Sequence, residues 1–75
     1  MFSKEKFSGR LAELRANHRV SSQALAEAIG VSRPAISRFE HGIDFPHVNT
    51  LVALADYFDV SLDYLVGRSD DPQRH

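Results

Sequence analysis

Between Ser21 and Gly42 the chain reads SSQALAEAIGVSRPAISRFEHG, and that spacing constrains the fold more than any other feature of the sequence. Ser21 precedes a helical run and can accept a hydrogen bond from a free backbone N–H of its first turn. Gly30 stops the run, because a residue without Cβ takes the left-handed backbone that a tight end demands. Two residues on, Ser32 caps a second helix with Pro34 in its first turn, where a missing N–H costs nothing. Gly42 ends that helix in turn. Leu25, Ile29, Val31, Ile36 and Phe39 are apolar where the two helices must meet, and Ala26 is small where they approach closely. On the second helix Ile36 and Phe39 face inward, which turns Arg33, Pro34, Ser37, Arg38 and His41 to the other side. Each position has a separate steric reason, so their joint occurrence is a specific signal.

The flanking sequence supplies three more helices. Phe7, Leu11 and Leu14 recur at i, i+4 and i+7, the stripe of an amphipathic helix that Ser3 can cap and that runs from about Lys4 to Asn17. Asn17-His18-Arg19 breaks the pattern before Val20. Residues 43–47 read as a loop holding Pro46, and a fourth helix carries Leu51, Leu54, Ala55 and Phe58. Asp59-Val60-Ser61 leads into a short fifth helix, Leu62 to Val66, stopped by Gly67. From Arg68 onward the residues cannot build a buried face, so a mobile tail is expected over 68–75. No strand, repeat or low-complexity tract is visible. Seventy-five residues leave no room for two domains, and without cysteine there are no disulfides and no thiolate zinc sites. The expectation is one all-α, five-helix domain over residues 1–67.

Charge is unevenly placed. The net charge is −1, yet residues 1–41 hold seven basic residues (Lys4, Lys6, Arg10, Arg15, Arg19, Arg33, Arg38) against four acidic ones, and residues 42–75 hold two against six. A molecule with one mildly positive end can meet DNA with that end, with modest, salt-sensitive affinity. The histidines (His18, His41, His47, His75) have no metal-ligand spacing, no glycine loop is present to cradle a phosphate, and each serine is explained better as a cap than as a nucleophile. No enzyme, metal or cofactor is expected. The longest apolar run, Leu51 to Ala55, is far short of a membrane span, and Met1 to Lys6 lacks the apolar stretch of a secretory signal, so a cytoplasmic placement is expected.

The stretches SSQALAEAIGVSRPAISRFEHG, TLVALADYF and DVSLDYLVG resemble helices 2 to 5 of the Cro/cI phage-repressor family of helix-turn-helix domains, also called the xenobiotic-response-element type. The resemblance spans roughly Phe7 to Gly67. It implies a five-helix lambda-repressor-like domain, a recognition helix in the major groove, a homodimer on a palindromic stretch of double-stranded DNA, and transcriptional regulation, more often repression. It sets Arg33, Pro34, Ser37 and Arg38 where the family's base-reading side chains stand. An Arg can grip guanine O6 and N7 with two parallel hydrogen bonds, for about 1–3 kcal/mol of discrimination. Ser37 can donate or accept, and Pro34 offers apolar contact to a thymine methyl.

Phosphate contacts are expected from Ser21, Ser22 and Ser32 at helix N-termini, and from Gln23 and His41. Relatives commonly carry Gln where Ser22 stands, and Gln23 is the partial replacement. Ile43, Asp44 and Phe45 occupy positions often basic in relatives, and Asp44 should repel phosphate. Arg15 and Glu40 stand where relatives have an ion pair joining helix 1 to the end of helix 3, with a structural role. Phe58, Val60, Leu62, Tyr64, Leu65 and Val66 are more apolar than a fifth helix requires, which suggests a patch that pairs with a second copy or another protein. The acidic C-terminal half and the non-basic loop also motivate an alternative function, an antitoxin-like or adaptor module that chiefly engages a protein and binds DNA weakly.

Overall fold

A computed structural model describes residues 3–74, so Met1, Phe2 and His75, which entered the readings above, lie outside the described residues. Five helices follow one another: α1 (Lys4–Asn17), α2 (Ser22–Ile29), α3 (Arg33–Glu40), α4 (Val48–Phe58) and α5 (Leu62–Leu65). There is no strand among the described residues, and the all-α, five-helix architecture is the one expected. Four helices start alike. The side chains of Ser3, Ser21, Ser32 and Ser61 accept from the amides of Lys6, Ala24, Ala35 and Tyr64, each three residues on. α4 starts at His47 without a side-chain cap.

The ends of α1 to α4 share one device. Arg19, Gly30, Gly42 and Asp59 adopt left-handed backbone, with φ of 56°, 78°, 71° and 55°. The residue after each turns its amide back to a carbonyl five positions earlier: Val20 to Arg15, Val31 to Ala26, Ile43 to Arg38 and Val60 to Ala55, at 2.9–3.0 Å. This closure satisfies a carbonyl that the helix leaves open and fixes the exit direction of the chain. The following apolar residue is normally drawn inward by the same turn. Val20 and Val31 are half-buried and Val60 is buried, whereas Ile43 is 65% exposed.

The core collects Phe7, Leu11 and Leu14 from α1, Leu25 and Ala26 from α2, Ile36 and Phe39 from α3, and Leu51, Leu54, Ala55 and Phe58 from α4. α2 lies on α3, α1 packs against α3 and α5, and α4 contacts α5 and α2. The Phe7 ring meets Phe39 and Phe45 edge-on, with centroids 6.3 Å and 5.0 Å away. Ser8 is buried beside them and donates to the Phe39 carbonyl at 2.7 Å, which ties α1 to the last turn of α3.

Two expectations change. The six-residue apolar patch does not exist as a surface, because Phe58, Val60, Leu65 and Val66 are buried in the chain's own core. A domain this small has few apolar residues to spare, and its core takes them first. Leu62 remains 39% exposed, and Tyr64 is half-buried beneath the Arg10 guanidinium, 4.1 Å above its ring. The fifth helix also stops at Leu65, with Val66 as its cap.

The segment expected to be a mobile tail makes contacts with the helices as far as Arg74. The Ser61 amide donates to the Pro72 carbonyl at 2.9 Å. Arg10 donates to the Tyr64 and Ser69 carbonyls and pairs with Asp70 at 2.6 Å, and Arg74 pairs with Asp56 at 2.7 Å. Such attachment uses charge and backbone rather than an apolar stripe, so hydrophobic patterning does not reveal it.

Candidate nucleic-acid interface

With 100° between successive residues of an α-helix, the buried Ile36 and Phe39 define the inner side of α3, and Pro34, Ser37 and His41 stand opposite. Arg33 and Arg38 flank that outer face, roughly 140° apart around the axis and roughly 7.5 Å apart along it. All five are exposed. The two guanidinium groups therefore bracket a face made of a proline, a serine and a histidine.

The expected phosphate donors are unequal. At the start of α3, Ser32 accepts from Ala35 at 3.2 Å and Pro34 has no N–H, which leaves the Arg33 amide as the first-turn donor for an outside acceptor. At the start of α2, Ser21 accepts from Ala24, and the amides of both Ser22 and Gln23 remain. α2 thus leaves two first-turn amides open where α3 leaves one. Gln23 donates its side-chain amide to Glu27 at 2.7 Å, so the group expected to reach phosphate is shared with a carboxylate. His41 Nδ1 lies 2.7 Å from the Ser37 carbonyl and 3.4 Å from the Ser37 hydroxyl, so that nitrogen is engaged within α3.

Arg15 and Glu40 are brought together by two parallel contacts, Nε to Oε2 at 2.6 Å and Nη2 to Oε1 at 3.1 Å, while Nη1 donates to the Val20 carbonyl at 3.1 Å. The hydrogen bond that Arg15 donates to Glu40 raises the Arg15 pKa above its already high ordinary value, against a smaller desolvation effect. The pair joins α1, the turn after it and the last turn of α3, away from the outer face.

One relation was not legible beforehand. Asp44 does not stand apart as a repulsive charge: its Oδ2 lies 3.6 Å from Arg38 Nε. The closure at Gly42 folds the loop back, so that the Arg38 carbonyl accepts from the Ile43 and Asp44 amides at 2.9 and 3.4 Å. The signal available in the sequence was Gly42 itself, which places the second residue after it over the last turn of α3. The positive end is correspondingly narrower than its residue count. Lys6 and Arg10 face Asp70, Arg15 faces Glu40 and Arg38 faces Asp44, which leaves Lys4, Arg19 and Arg33 as the cations of residues 3–41 without an ion pair among the described residues. No group of three or more His, Cys, Asp or Glu side chains is arranged to hold a metal among the described residues, and no helix is long and apolar enough to cross a membrane.

Comparison with known proteins places this geometry. A helix-turn-helix family model matches residues 11–65. The uncharacterized HTH-type transcriptional regulator YobD of Bacillus subtilis is 40% identical over 63 residues, covering 84% of this chain and 56% of YobD. The cryptic phage CTXphi transcriptional repressor RstR of Vibrio cholerae is 33% identical over 63 residues, again 84% of this chain and 56% of the relative. The chain thus spans little more than half the length of these curated relatives. Among solved structures, the P22 c2 repressor protein in complex with a synthetic operator superposes with a TM-score of 0.80 at 30% identity, covering 84% of this chain and 96% of that one. The serine-capped pair α2–α3, its Gly30 turn and the three helices around it therefore make this chain a member of the Cro/cI-type, or xenobiotic-response-element, family of helix-turn-helix domains.

Proposed function

We propose that the chain is the DNA-binding part of a sequence-specific transcriptional regulator, a repressor, that binds a palindromic operator as a homodimer. The α3 helices of the two subunits would enter successive major grooves about 34 Å apart. The observation that carries this reading is the bare outer face of α3, where Arg33, Pro34, Ser37 and Arg38 meet solvent with no other helix over them. Arg33 and Arg38 read bases, Ser37 and Pro34 add an edge contact and an apolar contact, and the amides behind Ser21 and Ser32 seat phosphates that set the register. Self-association would use the apolar surface that the core leaves uncovered. Val48 is 69% exposed and, with Leu62, rims a groove of about 360 Å³ floored by Leu51 and Val66.

Selection from a random duplex pool, followed by fluorescence anisotropy across a salt series, tests the reading. The expected product is an inverted repeat with half-sites one helical turn apart, bound at least about a thousandfold more tightly than random duplex. Failure to bind any duplex even at about 50 mM salt would replace the regulator with a protein-interaction adaptor.

A further inference from the structure

We propose that Asp44 is a specificity-determining residue that acts through Arg38: it orients the guanidinium for a base edge and turns it away from phosphate. The inference rests on the DNA-binding reading above. Three observations carry it. Asp44 comes nearest Arg38 at Nε, 3.6 Å away, and neither Nη group of Arg38 donates a hydrogen bond to a described residue, so donors that match guanine O6 and N7 remain. The placement of Asp44 is set by backbone, since the left-handed Gly42 and the Ile43 and Asp44 amides on the Arg38 carbonyl bring the loop over the last turn of α3. Finally, both side chains are little more than half exposed, 56% for Arg38 and 54% for Asp44, so the contact sits at the surface where DNA would meet it.

The electrostatic consequence separates two kinds of ligand. The couple of Arg38 and Asp44 carries no net charge. A guanine edge is neutral and needs only two donors at a fixed spacing, which the guanidinium beside Asp44 still offers. A phosphate is anionic and draws on net positive charge, which the neighbouring carboxylate cancels. Arg33 has no carboxylate beside it among the described residues and keeps its full charge for either ligand. The two arginines of one helix thereby differ: Arg33 serves base edge and phosphate alike, and Arg38 is kept for the base edge.

The experiment compares the unmodified chain with Asp44→Asn, Arg38→Ala and the double variant. Each is measured by anisotropy on the selected duplex, on its single-base variants and on random duplex, over a salt series. Asp44→Asn is expected to raise random-duplex affinity several-fold, to steepen the slope of log K against log salt by about 0.9, and to flatten base preference at one position of each half-site. In the Arg38→Ala background the same change should leave base preference unaltered and lose most of its effect on slope. If Asp44→Asn leaves the preference profile intact, or if its gain persists in full without Arg38, Asp44 merely repels DNA and the proposal fails. Absence of duplex binding by the unmodified chain overturns the regulator reading and this inference with it. Duplex binding with an unaltered Asp44→Asn profile overturns the inference alone.

Discussion

Arg19 and Asp59 occupy backbone that usually belongs to glycine, in the same closure that Gly30 and Gly42 make without strain. An L side chain in the left-handed region costs about 1–2 kcal/mol, partly offset in a glycine variant by the greater freedom of its unfolded chain. Arg19→Gly is therefore expected to raise unfolding free energy by about 0.5–1 kcal/mol in urea titrations, and an unchanged midpoint would mean that the Arg19 turn is unstrained. Gly67 is the opposite case. Its φ is +85°, and an added Cβ would lie 2.9 Å from Lys6 Cβ and 3.1 Å from Ser3 Cβ. Gly67→Ala should cost about 1–3 kcal/mol through strain and the forced separation of α5 from α1. A variant as stable as the parent would contradict that close approach. At this scale the outward residues of α3 were legible from helical periodicity alone, because Ile36 and Phe39 fix which side is inside. The partner of Arg38 was not, because it comes from the loop.

Elements start and stop here through short side chains and backbone, and each device is separable by mutation. Ser32→Ala removes the acceptor for the Ala35 amide and should destabilise the domain by about 1 kcal/mol. It should also weaken binding to every duplex by a similar factor, since a cap positions α3 without reading sequence. A selective loss at one base, measured by anisotropy on single-base variants, would contradict that. The Arg15–Glu40 pair sits between the exposed and buried limits, with side chains 27% and 11% exposed. Removing either partner is expected to cost about 1–3 kcal/mol, less than a fully buried pair and more than a surface one. A double-mutant cycle reads the coupling directly, and strict additivity of the two single variants would mean that the pair contributes nothing.

Across the whole molecule, charge does for the C-terminal segment what apolar burial does for the helices. Arg10 lies over the Tyr64 ring, donates to two carbonyls and pairs with Asp70, so one side chain joins α1, α5 and the tail. The Arg10 hydrogen bond, followed by the Lys6 and Arg10 charges, holds the Asp70 carboxyl below the usual carboxylate range. A depressed pKa in the folded chain means that the contact contributes fully above the unfolded value and is lost only as pH falls through the lower, folded one. Tail attachment should thus be independent of pH near neutrality and should release in acid, below the range where ordinary carboxylates titrate. NMR titration of the Asp70 carboxyl with the Ser69 and Asp70 amides checks this, and release near neutral pH would show that Asp70 is not the anchor.

The sequence by itself determined the five helices, the serine starts of α1 to α3, the glycine stops of α2 and α3, and the outer face of α3. These are local matters: periodicity, capping and backbone freedom act within a few residues and leave their mark in residue order. Tertiary structure alone decided which apolar residues near α5 became core and how the tail was tied, and it turned the local fold-back that Gly42 signals into a contact of Asp44 with Arg38. Those outcomes join residues 6 to about 60 positions apart through turns and ion pairs, and neither carries a hydrophobic period from which the partner could be read. The division has a physical cause. Burial competes for every apolar side chain in a small domain, and the winner is set by the shape of the assembled helices.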